Sequence, residues 1–126
     1  MGEKRNIVDL KLPEDSQSKF LRNIVRGLSN SIVLWILNKK PSCGYEIVKE
    51  IKRLTNHKLP TSVVYPILYG LEEDKFIKSS WKKRGKRYAK YYFLTKRGKN
   101  LLSHVRELFR RPLKEVIKEL IHEEEK

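Results

Sequence analysis

Between Lys75 and Lys99 the chain carries eleven basic residues (Lys75, Lys78, Lys82, Lys83, Arg84, Lys86, Arg87, Lys90, Lys96, Arg97, Lys99) and no acidic one. Burying so many like charges without partners is too costly, so the segment has to lie at the surface of whatever the chain builds. Its side chains also alternate. Ile77, Ser79 and Trp81 interleave with Lys78, Ser80 and Lys82, and Tyr88, Lys90, Tyr92 and Leu94 with Ala89, Tyr91 and Phe93. A period of two predicts two strands joined through KKRGKR, with Gly85 free to supply a positive φ at the turn. The remaining sequence must therefore supply a core on which a cationic hairpin can stand.

A length of 126 residues allows one domain with a modest core, and a 39% hydrophobic content is ordinary for a globular chain. The longest apolar run, Ile32 to Leu37, is far short of the roughly 20 residues of a membrane-spanning helix, and MGEKRNIVDLKL lacks the apolar core of a signal peptide. An intracellular, cytoplasmic protein is expected. The single Cys43 excludes an intrachain disulfide and reads as a small buried side chain. Of the formal net charge of +14, the segment 75–99 contributes +11, which points to a polyanionic partner. A membrane surface is the competing polyanion, but a membrane binder places its cations along an amphipathic helix, whereas here the densest charge sits in a hairpin.

Residues 1–13 show no period and read as an arm, mobile or packed on a partner subunit. Pro13, Glu14 and Asp15 mark a helix start, since proline suits the first helical position and acids the positive end of the helix dipole. Phe20, Leu21, Ile24, Val25 and Leu28 recur at spacings of three and four and predict one buried stripe. Gly27 and the polar run Ser29, Asn30, Ser31 predict a break, followed by a second buried helix over Ile32 to Leu37 with Trp35 in the core. The next helix begins at Ser42 or Cys43 and turns Tyr45, Val48, Ile51 and Leu54 inward, leaving Glu46, Lys49, Lys52 and Arg53 to water. A short connection, Thr55 to Lys58, then leads to a helix over about 61–74, the layout of a helix-turn-helix. Because proline is tolerated within about the first turn, Pro66 predicts an N-cap at Thr61 or Ser62. Val64, Ile67, Leu68 and Leu71 form its core face, so Ser62, Tyr65, Pro66 and Tyr69 stay on or near the open face. Hydroxyls there suit phosphate oxygens and base edges, although Tyr65 reads equally as a half-buried packing residue.

A two-stranded hairpin after a helix-turn-helix is the wing of a winged helix, here with Lys83, Arg84, Lys86 and Arg87 at its tip. Thr95 caps a final helix with the stripe Leu101, Leu102, Val105, Leu108, Phe109, Leu113, Val116, Ile117, Leu120 and Ile121. That stripe is longer than so small a domain can cover, which predicts pairing between two copies of the chain, with folding back on the first helix as the alternative. Pro112 predicts a kink near Arg110 or two consecutive helices, and the acidic end Glu123 to Glu125 is expected to fray.

Taken in order, LWILNKKPSCGYEIVKEI, SVVYPILYGLEEDKFI and KRYAKYYFLTKRGKNLL resemble the PadR family of transcriptional regulators. The likeness covers roughly Ile32 to Leu102 and rests on Gly44–Tyr45, Tyr65–Pro66, Leu68, Leu71–Glu72, Tyr92, Leu94–Thr95 and Gly98 in the family's order and spacing. It implies a mainly α fold with a small β-hairpin: a winged helix-turn-helix DNA-binding domain over 14–95, a C-terminal dimerisation helix over 96–126 and an arm over 1–13. It also implies a homodimeric, sequence-specific regulator of double-stranded DNA, usually a repressor on a roughly palindromic operator and often released by a small ligand. The recognition helix falls at about 61–74 and the wing at 82–90. Candidate DNA contacts are Tyr45, Thr61, Ser62, Tyr65, Tyr69, Lys82, Lys83, Arg84, Lys86, Arg87 and Lys90, and candidate dimer contacts are Leu102, Val105, Leu108, Phe109, Leu113, Val116, Ile117 and Leu120. Two departures stand out: Asp74–Lys75 where the family has a glycine, and a short C-terminal region broken by Pro112.

No catalytic or metal pattern accompanies these motifs. His57, His104 and His122 are scattered, Cys43 has no C-x-x-C partner, and neither G-x-x-x-x-G-K nor H-E-x-x-H occurs, so no enzyme, metal or cofactor is expected. The alternative reading is a non-specific architectural DNA- or RNA-binding protein that stacks bases on Trp81, Tyr88, Tyr91 and Tyr92.

Overall fold

The computed structural model describes residues 16–56 and 58–122. The arm, the helix start at Pro13, His57 and the acidic end at Glu123 to Glu125 lie outside the described residues. Helix α1 (Ser16–Lys39) is followed by a two-residue strand β1 (Ser42–Cys43), α2 (Gly44–Thr55), α3 (Thr61–Glu73), β2 (Ile77–Arg84), β3 (Arg87–Leu94) and α4 (Lys96–Leu108). A π-helical turn (Phe109–Leu113) then joins α4 to α5 (Lys114–His122). The architecture is mainly helical with a small antiparallel sheet of strand order β1-β3-β2.

Helix α1 runs unbroken where a break is expected. Ser29 Oγ donates to the carbonyl of Val25 at 2.8 Å and Asn30 Nδ2 to that of Arg26 at 2.9 Å, so the polar side chains bond back onto the preceding turn instead of ending the helix. Only its second half reaches the core. Val33, Leu34, Ile36 and Leu37 are buried, whereas Phe20, Ile24, Val25 and Leu28, expected as a buried stripe, are exposed; the side chain of Leu21 lies outside the described residues. Trp35, expected in the core, is 38% exposed, with Lys39 Nζ and the Arg106 guanidinium 5.5 and 5.3 Å from its ring centroid.

The core combines the α1 residues with Ile47 and Ile51 of α2, Val64, Ile67, Leu68 and Leu71 of α3, Ile77 and Tyr92 of the sheet, and Leu102 of α4. Each fully buried Leu or Ile contributes about 1.5–3 kcal/mol of transfer free energy. Tyr45 and Leu54, expected to face inward on α2, are exposed; Gly44 and, four residues apart, Ile47 and Ile51 are the residues that α2 buries.

Three corners fix the geometry of the helix-turn-helix and wing. Helix α2 starts at Gly44, its N-terminus held by the Cys43 N–H donating to Glu46 Oε1 at 3.1 Å, and ends on Asn56 in the left-handed region at φ 59°. Helix α3 is preceded by Pro60 as N-cap, not by Thr61 or Ser62, so Pro66 sits in the second turn, where the carbonyl of Ser62 lacks its i+4 donor. The end of α3 is a Schellman motif: Phe76 N–H donates to Leu71 O at 2.9 Å and Lys75 N–H to Glu72 O at 3.0 Å, with Lys75 at φ 65°. That residue holds the left-handed position a glycine would take. Thr95 Oγ1 donates to the carbonyls of Lys75 and Phe76 at 2.8 and 3.0 Å and accepts from Gly98 N at 3.0 Å, which ties the root of the wing to the start of α4.

Candidate nucleic-acid interface

The wing is a regular ladder in which Ile77 opposes Leu94, Ser79 opposes Tyr92, Trp81 opposes Lys90 and Arg84 opposes Arg87. Two residues, Gly85 and Lys86, close it, with Gly85 at φ 67° and Lys86 outside the positive-φ region, the sign pattern of a type II′ turn. Alternation buries only the root. Ile77 and Tyr92 are buried, but beyond Ser79 every residue of β2 is exposed, because the hairpin outruns the core. Of the aromatics Trp81, Tyr88, Tyr91 and Tyr92, Tyr92 alone is buried, fewer than the alternation predicts. Its burial, with the Glu72 and Tyr65 charges as lesser causes, pushes the phenol above its ordinary value.

Among the described residues, no carboxylate lies within ion-pair distance of Lys82, Lys83, Lys86 or Arg87. Arg84 differs. Its Nη2 is 4.0 Å from Glu46 Oε2 and its guanidinium 5.2 Å from the Tyr45 ring centroid, so the wing tip bends back to the start of α2. Lys90 lies midway along the wing, opposite Trp81, 3.9 Å from Glu72 Oε1 and 5.7 Å from the centroid of Tyr92.

On α3, Thr61, Ser62, Tyr65 and Tyr69 are all exposed. Tyr65 is also held: a Cβ on Gly44 would lie 2.7 Å from its Cζ, so the ring, 45% exposed, rests against bare backbone at the start of α2. One side of the ring packs on α2 and the rest stays open. Tyr45, Thr61 and Tyr65 line one open groove of about 710 Å³ together with Lys49, Lys52, Arg53 and Lys58. Sequence reading left these four cations out because a water-facing helix surface and a polar connection carry no period that marks them. Glu50 lies beside them but is engaged by Arg53 at 2.7 Å and Lys39 at 3.7 Å, and the Arg53 hydrogen bond holds its carboxyl below the usual range.

Residues 33–104, more than half of the chain, match the transcriptional regulator PadR-like family. The chain belongs to that family. PadR-like proteins of known structure share its fold: a PadR family transcription regulator from Clostridium difficile is 29% identical, with a TM-score of 0.66 over 74% of this chain and 97% of that one. A transcriptional regulator from Clostridium thermocellum is 28% identical, with a TM-score of 0.68 over 76% and 92% of the two chains. An uncharacterised protein of Lysinibacillus sphaericus is 34% identical over 88 residues, 66% of this chain and 79% of that one. PadR-family proteins are regulators of transcription and not enzymes. No described helix of this PadR-like chain is long and apolar enough to cross a membrane, and no three metal-binding side chains gather among the described residues.

The candidate dimer residues of this PadR-like chain divide into three groups. Leu102 is buried in the chain's own core, a correction to its assignment as a pairing residue: α4 rests on α1 at that level. Val105 and Leu113 are half-buried, while Leu108, Phe109, Val116, Ile117 and Leu120 are exposed. Every residue of α5 is exposed, Leu120 reaching 72%. Pro112 does interrupt the helix, through the π turn in place of a sharp kink.

Proposed function

We propose that the chain is a homodimeric, sequence-specific repressor of transcription. In this reading Thr61, Ser62, Tyr65 and Tyr69 of α3 enter the major groove of double-stranded DNA, and Tyr45 supports them from α2. Lys82, Lys83, Arg84, Lys86, Arg87 and Lys90 of the wing take the flanking backbone or minor groove. Residues 14–95 form the DNA-binding unit, and 96–126 pair two copies so that their recognition helices fall about 34–36 Å apart in successive major grooves.

The observation that carries the reading is the four wing cations without a carboxylate among the described residues, beside an α3 whose hydroxyls are exposed. Like charges held this close repel one another until an anion neutralises them, and DNA phosphates do so with release of counterions. Selection of bound fragments from genomic DNA tests the proposal. A palindromic site with half-sites one helical turn apart is the expected result, and uniform recovery of all fragments overturns sequence specificity. Tyr65→Ala is expected to lower discrimination between site and random duplex. Arg87→Ala is expected to weaken both alike and to reduce the salt slope by about 0.9 for each phosphate that is no longer neutralised. Arg84→Ala does the same but by less, since Glu46 already neutralises part of its charge. The exposed Trp81 and Tyr88 rings favour the second reading, a non-specific nucleic-acid binder; equal affinity for single strands and duplex is its signature.

A further inference from the structure

The outer half of the wing bears two large aromatic rings that phosphate binding does not use. Trp81 is 67% and Tyr88 68% exposed. Trp81 pairs with Lys90 and Tyr88 with Lys83, so the four side chains occupy one face of the hairpin, rings and cations on alternate corners. Cations stand over the rings of Trp35, Tyr45, Phe76 and Tyr92, but among the described residues none stands over Trp81 or Tyr88. The two rings are bare. Their face is also the one turned toward α3, since at its root Ser79 Oγ donates to Glu72 Oε2 at 2.7 Å and Lys90 approaches the same carboxylate. A hairpin that leaves two large rings about two-thirds uncovered, beside the recognition helix and next to Lys83, which has no acid near it among the described residues, and Lys90, which reaches Glu72 at 3.9 Å, has the makeup of a wedge for a polyanion with an apolar interior.

We propose that Trp81, with Tyr88 beside it, inserts against a base step in the minor groove of duplex DNA, so that the wing selects sites by how readily that step unstacks. Lys83 and Lys90 on the same face neutralise the phosphates on either side of the opened step. Flexible pyrimidine–purine steps at the wing positions are favoured over stiff A-tracts. The inference rests on the duplex-binding reading above.

The sequence holds two tryptophans, Trp35 and Trp81, so a Trp35→Phe chain reports on Trp81 alone. That chain is titrated with its selected duplex while binding is followed independently by the anisotropy of labelled DNA, and unwinding is read by relaxation of a closed plasmid. The expected result is quenching of Trp81 emission in step with binding, together with plasmid unwinding that Trp81→Phe keeps and Trp81→Ala loses. Trp81→Ala also narrows the preference for flexible over stiff steps by about tenfold. Lys82→Ala, on the opposite face, lowers the salt slope and leaves unwinding intact. Saturable duplex binding with unchanged Trp81 emission, or equal unwinding by Trp81→Ala, overturns the wedge while leaving the duplex reading in place. No anisotropy change with any duplex removes both. Because both rings are exposed, Trp81→Ala is expected to melt as the parent does, which separates loss of the wedge from loss of the fold.

Discussion

Lys75 closes the Schellman turn with φ 65°, in the region where a Cβ crowds the following carbonyl. A left-handed non-glycine residue costs about 1–2 kcal/mol, and glycine's greater freedom in the unfolded chain returns about 0.5–1 kcal/mol of that. Its side chain is exposed, while its backbone N–H and C=O are both bonded, to Glu72 and Thr95. Lys75→Gly should therefore keep every bond of the corner and stabilise the chain by about 0.5–1 kcal/mol. Thermal unfolding should show this as a rise of about 2–5 °C, and a fall would mean that the lysine holds the corner through its side chain. Gly44 illustrates the reverse constraint. Its own conformation asks for nothing unusual, but the ring of Tyr65 occupies the space of a side chain, so Tyr65 and the start of α2 are positioned by one vacancy.

At the scale of elements, the π turn determines where the C-terminal apolar face looks. One extra residue in a helix of 3.6 per turn rotates everything after it by about 100°. Leu102 on α4 lies against the chain's own core, while no face of α5 is covered and Val116, Ile117, Leu120 and Ile121 stand open to solvent. Pro112→Ala should let the segment regain regular α geometry and swing those residues back by about a quarter turn. Helix content should rise in circular dichroism, and self-association should weaken by about tenfold in sedimentation; unchanged association would show that the π turn does not aim the face. The elements also show what the sequence made legible. The core face of α3 was readable because Val64, Ile67, Leu68 and Leu71 keep the helical period, and the wing because apolar, basic and turn residues agree. Strand β1 was not, since two residues have no period and Ser42 and Cys43 pair with Tyr92 and Tyr91 from half the chain away. The supposed break after Leu28 failed for a local reason, as Ser29 and Asn30 satisfy carbonyls of their own helix. Phe20, Ile24, Val25 and Leu28 were read as buried because period alone identifies an apolar face but not what covers it.

For the whole molecule, two apolar faces are exposed among the described residues, one on the first half of α1 and one on α5. Exposed apolar surface of this kind at two ends of a small chain marks an interaction site, and a second copy related by a two-fold axis is the occupant proposed above. Ile117→Lys with Leu120→Lys should leave the core intact, because neither residue belongs to it, and should yield a monomer with native circular dichroism. Affinity for a two-half-site operator should then fall by about 10²–10⁴, the drop expected when two linked binding events become one. A dimer that survives both changes would place the pairing surface elsewhere. The short strand at Ser42–Cys43 has a mechanical corollary at this scale. It is bonded to the returning arm of the finger at Tyr91 and Tyr92 and runs without a spacer into the helix that bears Tyr45, so the base of the finger and the start of that helix are anchored to one another through a single stretch of backbone.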